Sequence, residues 1–520
     1  MGRGGGAGRS GGGAGRSGGG SGRSGGRDRT QGGGRSERGR PQSERGRPQR
    51  TRSAPSERRR TGDPSRVAAL DVLREVAGSD AYANLVLPPL LRSRRITGRD
   101  AGFATELAYG TLRLRGRYDA VLEQCSQRPL TEIDPTVLDI LRLGAHQLLG
   151  MRVPAHAAVS ETVGLARDRA GAGPAQFTNA VLRRVSEHSL EEWLERVAVA
   201  ADPADSDEEA RLAVVESHPG WVVRAMRAAL TANERGASEL GKLLAANNES
   251  PRVTLVARPG LAADTDLPDG VTAARWSPTA FTLEGGDPGA LRSVREGHVG
   301  VQDEGSQLVT LALAAAPLTG TDERWLDLCA GPGGKAALLG SIAAQRGAKL
   351  VANEVAAHRA QLVRNAVSAL PDGVVEVRHG DGRDVGELEP GRYDRVLVDA
   401  PCTGLGALRR RPESRWRRQP ADLAGLGPLQ RELLDSAIDA LRVGGVVGYV
   451  TCSPHIAETQ LVVDDVLRRR DDVEVIDAAQ VMREVAGADV PLADRTDVQL
   501  WPHVHGTDAM YLALLRRTDR

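Results

Sequence analysis

The chain contains 520 residues, enough for about three domains, and its 69 basic and 68 acidic side chains give a formal net charge of +1. Its longest apolar stretch falls far short of the ~20 residues that cross a bilayer, its first residues lack the apolar segment of a secretory signal, and 4 cysteines are too few for a disulfide scaffold. These features exclude an integral membrane protein and a disulfide-rich secreted domain, and they favour a cytoplasmic protein.

Residues 1–63 differ in composition from the rest of the chain. They contain 16 Arg, no Lys and 5 acidic residues, a local net charge of +11, together with 21 of the 62 glycines. A segment with so little to bury is expected to be disordered. Arg/Gly-rich segments bind single-stranded nucleic acid loosely, and the same composition also suits a tail that only improves solubility. Because the other residues carry a net charge of −10, an argument for nucleic-acid binding has to rest on this tail and on local patches.

The rest of the chain divides into three regions by the spacing of its apolar residues. Residues 64–187 show helical spacing and are expected to form an all-α domain. Residues 188–298 mix a helical stretch, Trp221–Ala246, with short β-like runs, which predicts a connecting α+β subdomain. Residues 299–520 alternate apolar strands with helices, as expected of a Rossmann-like α/β domain.

A glycine-rich turn lies between the first strand and the following helix of the predicted α/β domain. The apolar run Trp325–Cys329 leads into Ala330–Lys335 (AGPGGK), and a helix over Ala336–Arg346 is predicted to follow. This order lets a ligand approach the backbone amides at the helix N-terminus. The turn matches neither the dinucleotide fingerprint nor the phosphate loop of nucleoside triphosphatases, so it does not identify the ligand by itself.

Acidic residues end the next three predicted strands of this domain, and these residues are Glu354, Asp381 and Asp399. Because the carboxyl ends of parallel strands meet at one edge of an open sheet, we expect the three carboxylates to line the same crevice as the glycine turn. An acid just beyond the second strand suits the hydroxyl groups of a ribose. S-adenosylmethionine (SAM) is therefore favoured over a nucleoside triphosphate, since SAM contains ribose and an ammonium group but no phosphate.

Two of the 4 cysteines follow strands of the same predicted sheet. Cys402 comes after the fourth strand and Cys452 after the fifth, Val446–Val450, so both should face the crevice. Neither belongs to a spacing typical of a metal site, and no metal is expected. A thiolate that adds to C6 of a pyrimidine makes C5 nucleophilic enough to accept a methyl group. A second thiol or a carboxylate can assist the elimination that follows.

The motifs around these residues resemble those of a known enzyme family. Leu326–Lys335 (LDLCAGPGGK), Asp399–Gly404 (DAPCTG) and Thr451–Ser453 (TCS) are similar to motifs of RNA cytosine-C5 methyltransferases. In the helical region, Ile140–Leu148 (ILRLGAHQL) and Asn179–Arg183 (NAVLR) resemble a NusB-type RNA-binding domain. Beyond its tail, the chain most resembles the RsmB (Sun) group, whose members methylate 16S ribosomal RNA.

The resemblance implies a SAM-dependent enzyme that acts on RNA, with 16S ribosomal RNA as its substrate, and we expect a monomer. It implies that Cys452 is the nucleophile that attacks C6 and that Cys402 assists release of the product. It also places Asp399 between cofactor and base, where the carboxylate would polarise the cytosine. The residues implied to contact SAM are Cys329, Ala330, Gly331, Pro332, Gly333, Gly334, Lys335, Glu354, Asp381 and Asp399.

The chain departs from the family pattern at two of these positions. Gly331 stands where the family commonly has Ala, and we expect this change to be harmless because backbone amides make the contacts. Glu354 stands where Asp is common, and its longer side chain is expected to shift the ribose contact slightly.

An arginine-rich segment follows the Cys402 motif. Arg409–Arg418 contains six Arg in ten residues and is expected to lie beside the crevice. A run of this kind is often a solvated surface, but its place next to Cys402 favours a lip that binds RNA phosphates. Trp416 could stack on a base or pack against the protein. The target base has to leave any stem before a thiol can reach it, so a loop or flipped nucleotide is expected.

Three other functions are compatible with parts of this pattern. The first is cytosine-C5 methylation of transfer RNA, against which the NusB-type region argues by analogy only. The second is an RNA-binding assembly or antitermination factor without catalysis, which has no need for both Cys402 and Cys452. The third is methylation of an amino group, which leaves Cys452 unexplained.

Overall fold

The computed structural model describes residues 62–79 and 81–519. Apart from its last two residues, the predicted disordered tail lies outside the described residues, and so does the expectation that it contacts RNA.

The first described region is a bundle of helices, as its apolar spacing predicts. Asp63 caps the first helix by accepting a hydrogen bond from the Ser65 amide, and Asp134 caps the fifth in the same way; each is followed by a proline, whose fixed φ suits the first helical position. The apolar faces meet in buried clusters around Leu70 and Leu141. The helices are α1 (Pro64–Gly78), α2 (Ala83–Ser93), α3 (Gly98–Arg113), α4 (Arg115–Cys125), α5 (Pro135–Leu149), α6 (Ala155–Ala170) and α7 (Ala172–Val185).

The connecting region combines helices with a small antiparallel sheet in the order β2-β3-β1-β4. The single helical stretch predicted over Trp221–Ala246 is two helices, because the chain turns between them at Glu234, which has a φ of 58°. The elements are α8 (Leu190–Ala201), α9 (Glu208–Val215), α10 (Gly220–Ala232), α11 (Leu240–Ala246), β1 (Val253–Ala257), β2 (Val271–Ala273), β3 (Ala280–Leu283), α12 (Arg292–Glu296) and β4 (Val299–Val301).

The third region is built on a second, larger sheet, which confirms the Rossmann-like α/β prediction. Its strands lie in the order β10-β12-β9-β8-β5-β6-β7, and β11 pairs with β12. The elements are α13 (Glu304–Ala315), β5 (Arg324–Asp327), α14 (Gly334–Arg346), β6 (Lys349–Glu354), α15 (Ala357–Val367), β7 (Val375–His379), α16 (Val385–Leu388), β8 (Tyr393–Asp399), α17 (Ser414–Arg417), α18 (Asp422–Ala440), β9 (Leu441–Thr451), α19 (Gln460–Arg469), β10 (Val473–Ile476), α20 (Ala478–Val485), β11 (Val498–Gln499), α21 (Pro502–His505) and β12 (Tyr511–Arg517).

Strand direction fixes where a ligand can bind. Neighbouring strands are parallel along the sheet order β7-β6-β5-β8-β9, and β12 pairs with β9 in the antiparallel direction. Both faces are covered, because side chains of β8 and β9 are buried in apolar clusters on either side of the sheet. The chain leaves β5 towards β6 on one side and β8 pairs with β5 on the other, so a crevice opens at the carboxyl ends of these strands.

The arginine-rich segment 409–418 is largely buried between the helical regions and the α/β domain, so the prediction of a phosphate-binding lip is wrong for most of it. Arg415 is fully buried, and its guanidinium donates hydrogen bonds to the carbonyl oxygens of Arg113 and Ser217. A third hydrogen bond goes to the carbonyl oxygen of Asn247. The segment therefore joins the regions of the protein because its charges find carbonyl partners inside the fold.

Its neighbours in the segment are also engaged. Arg410 forms ion pairs with Asp303 and Asp508. The ring of Trp416 packs so closely against α4 that a Cβ at Gly116 would lie 2.3 Å from it, so this tryptophan is a packing residue in the structure. Arg411 differs, because its guanidinium lies over the ring of Tyr82, 4.9 Å from the ring centroid, with no side-chain hydrogen bond or ion pair to the described residues.

Candidate active site

The glycine-rich turn connects β5 to α14 at the crevice. The Ala330 amide donates to the carbonyl oxygen of Asn353, and Pro332 is exposed at the tip of the turn. Gly333 has a φ of 113°, and a Cβ there would lie 2.6 Å from the Cβ of Ala366. Only glycine fits this position, because both the backbone conformation and the close approach of α15 exclude a side chain. Gly334 then begins α14.

The two departures from the family pattern are in contact. The Gly331 amide donates a hydrogen bond of 2.9 Å to Oε2 of Glu354, which is buried at the end of β6. A Cβ added at Gly331 would lie 2.2 Å from the same oxygen. The longer Glu354 side chain thus occupies the space that an alanine at position 331 would need. An alanine at position 331 would therefore require the Glu354 side chain to shift, whereas Gly331 leaves it in place.

Asp327, the last residue of β5, is a site residue that the sequence analysis did not single out. Its side chain is fully buried, and neither carboxylate oxygen has a hydrogen-bond partner among the described residues. Burial, followed by the nearby charge of Asp399, raises the pKa of Asp327 to about 8. Its position as a strand-terminal acid three residues before the glycine turn was the available signal.

Asp399, at the end of β8, pairs with Lys335 of α14. The Nζ of Lys335 lies 2.8 Å from Oδ2 of Asp399, so the pair links the start of α14 to the end of β8. Burial disfavours the ammonium ion, but attraction and hydrogen bonding to Asp399 outweigh it and raise the pKa of Lys335. The contact leaves the second oxygen of Asp399 without a hydrogen bond to the described residues.

Asp381 and Asn353 lie on the side of the crevice formed by β6 and β7. Asp381 is bound by Arg383, with an ion pair of 2.6 Å, and the hydrogen bonds from Arg383 lower the pKa of this carboxyl. An ion pair this exposed is weak, so a ligand can displace Arg383 at little cost. The Asn353 amide, which the sequence analysis missed, donates to the carbonyl oxygens of Leu328 and Gly380 and thereby ties the loops after β5 and β7 together.

The two strand-end cysteines meet in the crevice. The sulfur atoms of Cys402 and Cys452 are 3.5 Å apart, and both residues are half-buried. The hydrogen bond between the two thiols, helped by the charges of Arg411 and Lys335, lowers the pKa of Cys452 against the opposing effects of burial and of the charge of Asp399. The same hydrogen bond, together with burial, raises the pKa of Cys402. The structure therefore favours a thiolate at Cys452 and a neutral thiol at Cys402.

The other two cysteines are poorly suited to nucleophilic chemistry. Burial, followed by the charge of Asp327, raises the pKa of Cys329 well above its usual range. Burial raises the pKa of Cys125 to about 11, and this residue packs in the core of the helical bundle. Neither thiol is a reactive thiolate near neutral pH.

The residues of the crevice fit SAM. Four carboxyl groups end β5 to β8 or follow them, which suits a ligand with a sulfonium and an ammonium group better than one with phosphates. The buried carboxylate oxygens of Asp327 have no hydrogen-bond partner among the described residues and are available to a ligand. Gly333 has no side chain that would block the approach of a ligand to the turn. Within the described residues, no group of three or more His, Cys, Asp or Glu side chains could hold a metal ion. None of the helices found in that part of the chain is long and apolar enough to cross a membrane.

Comparison with known proteins identifies two matching families. Residues 314–516 match the model described as 16S rRNA methyltransferase RsmB/F, and residues 63–187 match that of the NusB family. The second match coincides with the region that was predicted as an all-α NusB-type domain.

Relatives and a solved structure match over most of their length. A protein of Mycobacterium tuberculosis whose name assigns it to the methyltransferases is 52% identical over 465 residues, covering 88% of this chain and 98% of the relative. The ribosomal RNA small subunit methyltransferase B of Pseudomonas putida is 34% identical over 426 residues, covering 80% and 91%. The crystal structure of PH0851 superimposes with a TM-score of 0.71 at 20% identity, covering 88% of this chain and 99% of that chain, which shows a shared fold.

Proposed function

The chain belongs to the RsmB/F family of SAM-dependent methyltransferases, and from this premise we propose that it methylates C5 of a cytosine in 16S ribosomal RNA. The reaction proceeds through a transient bond between the sulfur of Cys452 and C6 of the base. The observation that carries the proposal is the pair of thiols, 3.5 Å apart, at the carboxyl edge of the sheet. Methylation of nitrogen or oxygen needs no such pair, whereas C5 of cytosine becomes nucleophilic only after addition at C6.

The residues of the crevice support a division of labour. SAM, when bound, supplies an electrophilic methyl group on its sulfonium. The Cys452 thiolate adds to C6, and the electron pair displaced to C5 attacks that methyl group. Asp399, held by Lys335, lies at the boundary between the two binding regions, where its free oxygen can accept a hydrogen bond from the cytosine. The C5 proton is then transferred to water or to the Asp399 carboxylate, which restores the C5–C6 double bond and expels Cys452 as a thiolate that accepts the hydrogen bond of Cys402.

RNA contacts are expected from the surface beside the thiols. Arg411 contributes positive charge at Cys452, and its guanidinium stacks on Tyr82 of the helical domain, with no ion pair to a carboxylate among the described residues. We expect it to bind a phosphate next to the target nucleotide, which retains one member of the predicted lip. Relatives named as ribosomal RNA small subunit methyltransferases favour 16S ribosomal RNA over transfer RNA. Two adjacent thiols need a reducing compartment, so the reaction is assigned to the cytoplasm.

The proposal is tested by identifying the methylated nucleoside. Purified protein, SAM with a labelled methyl group and either 16S ribosomal RNA, small subunits or transfer RNA are incubated, and the RNA is digested for mass spectrometry. We expect 5-methylcytidine in the ribosomal RNA. N4-methylcytidine as the product would overturn the thiol mechanism, labelling of transfer RNA alone would overturn the substrate, and no labelled nucleoside from any RNA would favour a binding factor.

A further inference from the structure

A buried glutamate joins the two loops that carry the thiols. Glu458 follows β9 in a short turn, Ile456–Glu458, and is fully buried. The amide and hydroxyl of Thr403, the residue after Cys402, donate to its two carboxylate oxygens at 2.7 and 2.5 Å. The hydroxyl of Ser453, the residue after Cys452, donates to Oε2 at 2.6 Å. One carboxylate thus receives hydrogen bonds from both cysteine loops, and a buried carboxylate with several donors is held firmly in place.

The contact between the thiols cannot by itself decide which sulfur keeps the proton, because it is the same contact seen from either side. The charged groups around the two sulfur atoms determine which of them keeps the proton. The charges of Glu458 and Asp399 raise the pKa of Cys402 further, after the effects of Cys452 and burial. On the other sulfur, Arg411 and Lys335 lower the pKa of Cys452, while Asp399 raises it. Because Asp399 acts on both, the groups that distinguish the thiols are Glu458 on one side and the two cations on the other.

The remaining groups that face this cluster do not reverse the assignment. Burial raises the pKa of the Tyr449 hydroxyl, so the phenol is neutral. Its hydroxyl donates to the backbone carbonyl of Glu458. His455 precedes Glu458, and burial lowers the pKa of its ring, so it is uncharged near neutral pH. The amide of Gln430 adds a longer contact of 3.4 Å to the glutamate.

We infer that Glu458 is a positioning residue, which locks the two cysteine loops together and holds Cys402 as the neutral hydrogen-bond donor so that Cys452 alone attacks the base. This inference rests on the proposed function, since it assigns a role within the same site. It gives a physical reason for the order of the thiols. Without the charge of Glu458, Cys402 competes as a thiolate, and an adduct formed by the wrong sulfur does not lead to release.

The test measures each thiol in the full-length protein without RNA. Iodoacetamide is added at a series of pH values, and the initial alkylation rates of Cys402 and Cys452 are followed by mass spectrometry of their peptides. The wild type is expected to alkylate first at Cys452. In Glu458→Gln, which keeps the shape and most hydrogen bonds but removes the charge, the ratio of the Cys452 rate to the Cys402 rate should fall about tenfold. An unchanged ratio would overturn the inference.

Two controls separate charge from structure. Glu458→Asp keeps the charge and should retain the wild-type ratio. Asp394→Asn removes a buried carboxylate at the opposite end of β8, where it accepts hydrogen bonds from the amides of Glu323 and Arg324. We expect this variant to lose thermal stability but to keep the alkylation ratio.

The outcomes also separate this inference from the proposed function. If Glu458→Gln does not fold, Ser453→Ala decides, because it loosens the loop and leaves the charge. A tenfold fall of the ratio in Ser453→Ala would assign the effect to structure and overturn the charge role. A changed ratio in Glu458→Gln without 5-methylcytidine from the wild type would leave the positioning role standing and remove the proposed reaction. An unchanged ratio in Glu458→Gln together with 5-methylcytidine from the wild type would overturn the positioning role and leave the proposed reaction standing.

Discussion

The two halves of the crevice contain different charged and nucleophilic side chains. On the side of β5 to β7 lie the carboxyl groups of Asp327, Glu354 and Asp381, and the donors to the last two are backbone amides and arginine side chains. On the side of β8 and β9, the two thiols lie near the cations Lys335 and Arg411. The difference teaches how one sheet edge can serve a cationic methyl donor and an anionic nucleic acid at once. The Lys335–Asp399 ion pair stands at the boundary between these halves.

The strongest test of the thiol half is Cys452→Ser. A serine hydroxyl is not ionised near neutral pH, so it cannot add to C6, and methylation should fall by ~10³-fold or more. Transfer of a labelled methyl group to RNA measures the rate. Calorimetric titration with SAM is the control, because the cofactor half should bind as in the wild type. Activity above a tenth of the wild-type value would remove Cys452 as the nucleophile.

Cys402→Ala should impair release rather than attack. Without the hydrogen bond of Cys402 to the departing sulfur, turnover is expected to fall by about 100-fold, while the protein–RNA adduct accumulates. The adduct is visible on a denaturing gel as a band that ribonuclease removes. The double variant Cys402→Ala with Cys452→Ser should give no such band. A single variant that turns over slowly without any adduct would exclude this role for Cys402.

In the cofactor half, Gly331→Ala should weaken SAM binding by about tenfold, because the new Cβ meets Oε2 of Glu354. Shortening the glutamate removes the overlap, so Gly331→Ala combined with Glu354→Asp is expected to bind better than the first variant alone. Dissociation constants for all four proteins complete a double-mutant cycle, in which we expect a coupling of about 1 kcal/mol. Additive effects would show that the two positions are independent.

Asp327→Asn tests whether the Asp327 carboxyl is protonated near neutral pH in the folded protein. A buried carboxyl with a pKa of about 8 binds a proton that the unfolded chain has already released above pH 4. The folded state therefore holds more protons over this range, and its stability falls as pH rises towards 8, by at most ~1.4 kcal/mol per pH unit. Asparagine removes this slope. Urea unfolding at pH 6.5 and 7.5 should show a smaller loss in the variant by about 1 kcal/mol; equal slopes would contradict the raised pKa.

Arg411→Gln should have the smallest effect on the thiol half. Loss of the cation raises the pKa of Cys452, so the acidic limb of the pH–rate profile should move to higher pH. Loss of one phosphate contact should weaken RNA binding a few-fold and reduce the salt dependence by about one ion. Arg418→Gln is the matched control in the same segment, since the only ion pair of Arg418 within the described residues is a long one to Asp422, at 3.8 Å. Equal effects of both substitutions would remove the specific role of Arg411.

Much of the cofactor half could be predicted from sequence because the signals are local. A buried strand followed by an acid or a glycine turn has the same meaning wherever the strand lies in the sheet, and the five predicted strands are all present. The arginine-rich segment was misassigned because its partners are distant in the chain: Arg415 binds the carbonyl of Arg113 and that of Ser217. The local sequence of an arginine-rich run does not indicate that buried carbonyl oxygens will accept its hydrogen bonds in the folded protein.

Glu458 was missed for a related reason. It stands in a short turn after the TCS motif, where an acid usually faces solvent. Only the folded chain brings it to Thr403, 55 positions earlier in sequence. The two departures at Gly331 and Glu354 were both noticed, yet their contact depends on the path of the backbone between β5 and β6. The identities of site residues could thus be predicted better than their mutual distances.

The burial of Arg415 has a consequence for any attempt to divide the protein. Its guanidinium donates hydrogen bonds to carbonyl groups that precede residue 250, although Arg415 itself lies in α17, which follows the Cys402 loop. In a fragment expressed from residue 299 onward, the Arg415 guanidinium would be exposed to solvent or buried without these hydrogen-bond partners. The loop beside the thiols would then be less firmly held. The helical portion is thus an internal scaffold of the catalytic centre as well as a candidate RNA-docking module, so grafting the catalytic domain onto another RNA-binding domain would require redesigning this contact.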